Sequence, residues 1–90
     1  MIQMGENILE KVIISKLDLI EFFDLFDNGK ANYYRLRKTI FTDDLFEFMG
    51  INPDDDTQVE AQYTKRRFFT PKQSLKIKQF YKEVFESKNT

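Results

Sequence analysis

The sequence predicts one small, mostly α domain of four helices, a helix-turn-helix-like arrangement with room for a β-hairpin wing before the last helix. Three observations carry this expectation. Apolar residues recur at helical spacing along most of a 90-residue chain. Three of the apolar stretches begin at a Ser or Thr followed by acids or a Gln, the pattern that caps a first turn. A Gly-containing turn separates the first stretch from a second, short and basic one.

The elements follow in order. Residues 1–14 read as a flexible N-terminal segment in which Gly5 interrupts any early helix; Lys11-Val12-Ile13-Ile14 is a β-branched run, either a strand or a lead-in. Ser15-Lys16-Leu17-Asp18 is a capping signature that opens a helix to about Phe26. Its apolar residues cover most of the circumference and leave Asp18, Glu21 and Asp24 as the polar stripe, so this helix should be central. Asp27-Asn28-Gly29 is a turn, because Asn and Gly tolerate positive φ. The second helix should run from about Lys30 to Ile40, with Tyr33, Leu36, Ile40 and the stem of Arg37 on one side. Thr42-Asp43-Asp44 caps a third helix that Gly50 ends. A polar loop follows, and Val59 to Phe69 carries strand-like aromatics suited to the hairpin or wing. Thr70-Pro71-Lys72-Gln73 is the strongest local signal: a Thr cap, Pro at the first helical position and a Gln that closes a capping box. The final helix should reach about residue 86, with Ile77, Phe80, Tyr81 and Val84 as its apolar stripe and Phe85 at the edge. Residues 15–87 thus form the single domain.

Composition excludes several chemistries. The chain has no Cys and no His, which removes thiol nucleophiles, imidazole-based triads and the usual zinc ligands. The absence of Cys also suits a reducing, cytoplasmic setting. The N-terminus has acids early and no unbroken apolar stretch, so neither a signal peptide nor a membrane span is expected. Phe22 to Tyr33 superficially matches a calcium loop. With Asp27 at position 1, however, Gly29, Ala31 and Lys38 fall where oxygen ligands are required. Asp54-Asp55-Asp56 reads as a solvated turn, with a lone magnesium ion as the alternative. No carboxylate pair with a partner base and no Gly-rich phosphate loop is present, so the protein is expected to be no enzyme and to need no cofactor.

Charge is arranged in blocks. Residues 1–29 are net −4, residues 30–40 net +4, residues 41–60 net −7 and residues 61–82 net +7. Either the blocks neutralise one another on folding, or the two basic ones meet on one face as an electrostatic footprint. On the second reading the protein is a DNA-binding regulator or accessory factor for double-stranded DNA. Arg35 would pair with guanine, Lys30 and Lys38 would reach phosphates, and Tyr34 would stack or donate to a phosphate. Lys65, Arg66 and Arg67 would form a wing on the backbone, and Lys72 and Lys76 would extend it along the last helix, whose N-terminal amides could add an anion site. The alternative is a protein-interaction module, a homodimer or an adaptor, built on the aromatic surplus and opposite charge blocks.

Ser15-Lys16-Leu17-Asp18-Leu19, Tyr34-Arg35-Leu36-Arg37-Lys38 and Phe69-Thr70-Pro71-Lys72-Gln73 together resemble a family of small bacterial proteins of unknown function, over roughly residues 15 to 85. The Phe-Thr-Pro-x-Gln helix start is the more specific part, and the resemblance implies no activity. More loosely, the order of helix, turn, basic helix and Arg-aromatic-Thr-Pro helix resembles MerR-type and excisionase-type winged helix-turn-helix domains. This chain departs from them in the extra helix and acidic loop at residues 42–60.

Overall fold

A computed structural model of the chain describes residues 7–88; the expected break at Gly5 lies outside them. The domain is mostly helical with one antiparallel hairpin. In order, α1 spans Lys16–Phe23, β1 Phe26–Asp27, β2 Lys30–Ala31, α2 Tyr33–Thr39, α3 Asp43–Phe48, α4 Asp56–Val59, α5 Pro71–Phe80 and α6 Lys82–Lys88. A 3-10 turn, Ile8–Glu10, precedes them, and α4 runs on as a π-helical turn, Glu60–Thr64.

The capping signals act as read. Asp18 N–H donates to Ser15 Oγ (3.0 Å) while Ser15 N–H donates to the Asp18 carboxylate (2.9 Å), a complete capping box. Burial pushes the Asp18 carboxyl up, but these bonds and the Lys11 ammonium at 2.9 Å outweigh it, leaving the group below its usual range. Thr70 and Gln73 form the same box at α5, with Pro71 at the first helical position. Thr42 Oγ1 caps α3.

The expected helix-turn-helix turn is a β-hairpin instead. α1 stops at Phe23, because Asp24 takes the left-handed conformation (φ 57°) and Leu25 turns back into the core. Asn28 (φ 54°) and Gly29 (φ 80°) then form the two-residue loop of a hairpin that pairs Asp27 with Lys30 and Phe26 with Ala31. Two successive positive φ values match the right-handed twist of paired strands. The hairpin therefore lies between α1 and α2, and Lys30 and Ala31 are strand rather than helix. α2 begins only at Tyr33, capped by Asn32, whose side chain accepts from Arg35 N–H (2.9 Å).

The segment expected to form the wing is helical instead. The Asp55 carboxylate accepts from the Thr57 and Gln58 amides and starts α4, and Val59 and Tyr63, four apart, turn inward. Strand character there is limited to a single bridge, Ser15 to Phe68. The last helix is also broken. Tyr81 leaves helical geometry (φ −107°, ψ 28°) and donates its hydroxyl to the Ile40 carbonyl. The register carries across the break, since Tyr81 N–H donates to the Ile77 carbonyl (3.1 Å) and Phe85 N–H to the Tyr81 carbonyl (2.9 Å). Residues at spacing four from Ile77 therefore face inward, and Phe85 is fully buried while Val84 is 40% exposed, the reverse of the expected stripe.

Residues 7–14, expected to be flexible, are tied to the domain at several points, although Val12 and Ile13 stay exposed. Ile8 and Ile14 belong to the core. Lys78 donates to the carbonyls of Leu9 and Lys11, and Ile14 N–H donates to the buried Ser74 hydroxyl (2.9 Å). Two aromatic groups fill the interior. Phe41, Phe46, Tyr63 and Phe69 form one, with Phe41 4.6 Å from Tyr63 and 5.3 Å from Phe69 between ring centroids. Phe22, Phe23, Tyr81 and Phe85 form the other. No helix among the described residues is long and apolar enough to cross a membrane.

Candidate nucleic-acid interface

Three segments distant in sequence meet at one cleft. The edge formed by Ile14 and Ser15 pairs with the chain after α4: Phe69 N–H donates to the Ile14 carbonyl (2.9 Å), and Lys16 N–H donates to the Arg67 carbonyl (3.0 Å). This pairing sets the start of α1 beside residues 63–67. The first turn of α2 closes the third side, because Tyr33 and Tyr34 lie four and three residues before Arg37 and share its face. The cleft is an open depression of about 650 Å³. Its cations are Lys16, Arg37, Lys65, Arg66 and Arg67; its aromatic walls are Tyr33, Tyr34 and Tyr63; no carboxylate lines it.

The cations have distinct settings. Lys16 Nζ sits 4.0 Å from the centroid of the Tyr63 ring and donates to the Thr64 carbonyl (3.3 Å). Burial holds its amine below the usual lysine range. Arg37 lies over the Phe46 ring and donates to the Phe41 carbonyl (2.7 Å), so it is braced by the core. Arg66 is half-buried, and its Nε is enclosed with no hydrogen-bond partner. Lys65 and Arg67 are exposed at the rim. Burial raises the Tyr63 hydroxyl to about 12, against a smaller pull downward from Arg37.

Neutralisation between blocks is sparse at contact range. Among the described residues the ion pairs are Lys11–Asp18 and the exposed Lys65–Glu60 contact at 3.8 Å. Among the described residues, Lys65 is thus the cleft cation with an ion pair at contact range.

Of the residues singled out from sequence, the cleft brings together Tyr34, Lys65, Arg66 and Arg67. Arg35 and Lys38 are exposed on α2, and the Lys38 ammonium lies 5.7 Å from the Tyr34 ring. Lys30 lines a shallow hollow on the hairpin with Asp27 and Asn32. Lys72 and Lys76 are elsewhere, in a recess of about 380 Å³ with Met49, Gly50 and Gln62, and Lys76 rests over the Phe48 ring. The α5 N-terminus, expected to add an anion site, offers few free amides. Pro71 has no amide proton, and the Gln73 amide is held by Thr70.

Sequence reasoning missed Lys16, Tyr33, Arg37 and Tyr63. Arg37 and Tyr33 were read as the core side of α2, which half describes them: Arg37 is half-buried, and Tyr33 is 50% exposed. Among the described residues no group of three acidic side chains is placed to hold a metal, and Asp55 is the α4 cap. Comparison with protein-family models, with curated proteins and with solved structures found no match.

Proposed function

We propose that the protein is a nucleic-acid-binding accessory or regulatory factor whose contact surface is the cleft between α1, α2 and residues 63–67. One observation carries this reading: five cations and three tyrosines converge on a concave surface that no carboxylate lines. Such a surface attracts phosphate and releases the counterions condensed on it. The settings of Lys16 and Arg66 fit the same reading. A half-buried amine held below its usual range and an enclosed guanidinium donor without a partner both carry a cost that a bound anion offsets. The reading rests on the cleft rather than on a recognition helix, since α2 has seven residues and follows a hairpin. Arg35 and Lys38, beside the cleft, remain candidates for flanking contacts.

The test is fluorescence anisotropy of a labelled oligonucleotide across a salt series. Affinity should fall with a log–log slope of about −0.7 to −0.9 per phosphate contact. Lys65→Glu with Arg67→Glu, both at the exposed rim, should weaken binding to every sequence and reduce the slope by about 1.4 to 1.8. Absence of salt-dependent binding to any nucleic acid overturns the proposal. It would favour the protein-interaction reading, which rests on the exposed side chains of Val12 (68%), Phe68 (59%) and Leu75 (51%).

A further inference from the structure

We infer that the ligand of the cleft is single-stranded nucleic acid, held by stacking of an unpaired base on Tyr34 while the cations take the flanking phosphates. This rests on the nucleic-acid reading above and narrows it. Tyr34 is 74% exposed and Tyr33 50%, and the Lys38 ammonium stands 5.7 Å from the Tyr34 ring centroid, far enough to leave most of that ring in solvent. A solvated aromatic face at a basic surface is of use to a base whose own face is free, because stacking is tolerant of sequence and adds to phosphate attraction. In a duplex the base faces are buried in the helical stack, and only edges and backbone remain to be read.

Shape agrees with this. Duplex readers insert a convex element, a helix or a ribbon, into a groove about 12 Å wide. Here the tyrosines of α2 line a recess, and at about 650 Å³ it matches the size of a small-ligand pocket. Bases can enter it one or two at a time, whereas a double helix can only lie across its mouth. The order of cations also suits a threaded strand. Lys16 and Arg37 are half-buried, while Lys65 and Arg67 stand exposed at the edge, so phosphates can be met both within and beside the recess. The Lys38 ammonium near the Tyr34 ring supplies a further cation on the path outward.

The experiment compares oligodeoxyuridine and oligouridine of about 12 nucleotides, which differ only at the 2′ position, with a duplex of equal length. The readouts are anisotropy and intrinsic tyrosine fluorescence, which is clean because the chain has no Trp. Both single strands should bind more tightly than the duplex and quench the tyrosine emission. Equal affinity for the two indicates contacts to base faces and phosphates alone; preference for oligouridine adds a 2′-hydroxyl contact. Tyr34→Ala, at an exposed position, should leave the melting curve unchanged, weaken single-strand binding about 5- to 150-fold and leave the salt slope intact. Tyr34→Phe should restore it. Tighter binding to duplex, or an unaltered affinity in Tyr34→Ala, overturns this inference and leaves the nucleic-acid reading standing. No salt-dependent binding to any of the three ligands overturns both.

Discussion

Ser74 is a small side chain on which the cleft depends from a distance. It is fully buried on α5, and its hydroxyl accepts the Ile14 N–H at 2.9 Å across sixty residues of sequence. Ile14 and its neighbours hold the far wall of the cleft, through Phe69 N–H to the Ile14 carbonyl and Lys16 N–H to the Arg67 carbonyl. Replacing Ser74 with Ala removes the acceptor and leaves a buried amide unsatisfied, a cost of about 1–3 kcal/mol. In a domain of this size each kcal/mol lowers Tm by about 4–8 °C. Thermal unfolding followed by circular dichroism should therefore show a drop of at least about 4 °C. The control is Gln79→Ala, exposed on the same helix, which should stay within about 0.5 kcal/mol of the parent. Amide exchange gives the local readout: the Ile14 amide should lose protection, and those of Lys16 and Phe69 should exchange faster. If Ser74→Ala melts with the control and the Ile14 amide stays protected, the hydroxyl is not what anchors this edge.

Two further predictions concern the aromatic interior. Phe85→Ala should cost about 3–5 kcal/mol by denaturant titration, because the ring is fully buried, and Phe80→Ala should cost less because its ring is only partly covered; equal losses would restore Phe80 to the core stripe that the sequence predicts. Tyr63 ionises near 10 when unfolded and at about 12 in the fold, so its neutral form is favoured by folding. Its contribution to stability is complete below pH 10 and is lost as pH rises toward 12; Tyr63→Phe should flatten that alkaline loss and remove a late step from the ultraviolet titration of the tyrosines.

Much of this fold was legible where the cause is local. Ser15 with Asp18, Thr42, and Thr70 with Pro71 and Gln73 announce helix starts because a cap needs only four consecutive residues. Asn28-Gly29 announced a reversal but not its kind. The apolar run from Leu17 to Phe26 reads as one helix, and nothing local shows that Asp24 will turn left-handed and release Leu25 and Phe26 to a hairpin. Residues 56–64 were hidden by polar composition, with Val59 and Tyr63 alone carrying the helical spacing. The cleft was half legible. Basic runs at 30–40 and 65–67 raised the prospect of one face, and Tyr34, Lys65, Arg66 and Arg67 share it. Lys16 joins them only through pairing of residues 14–16 with 67–69, a contact with no local signal. Lys72 and Lys76 fall away because α5 leaves the cleft after Phe69 and presents them to a different recess.

The most direct test of the account is chemical-shift mapping on the isotope-labelled protein titrated with a short single-stranded oligonucleotide at low salt. The largest shifts should fall on the amides of Lys16, of residues 33–38 and of residues 63–67, around the cleft, with residues 72–76 of α5 left in place. Shifts concentrated on residues 72–76, or on Val12, Phe68 and Leu75 with the cleft silent, would contradict it.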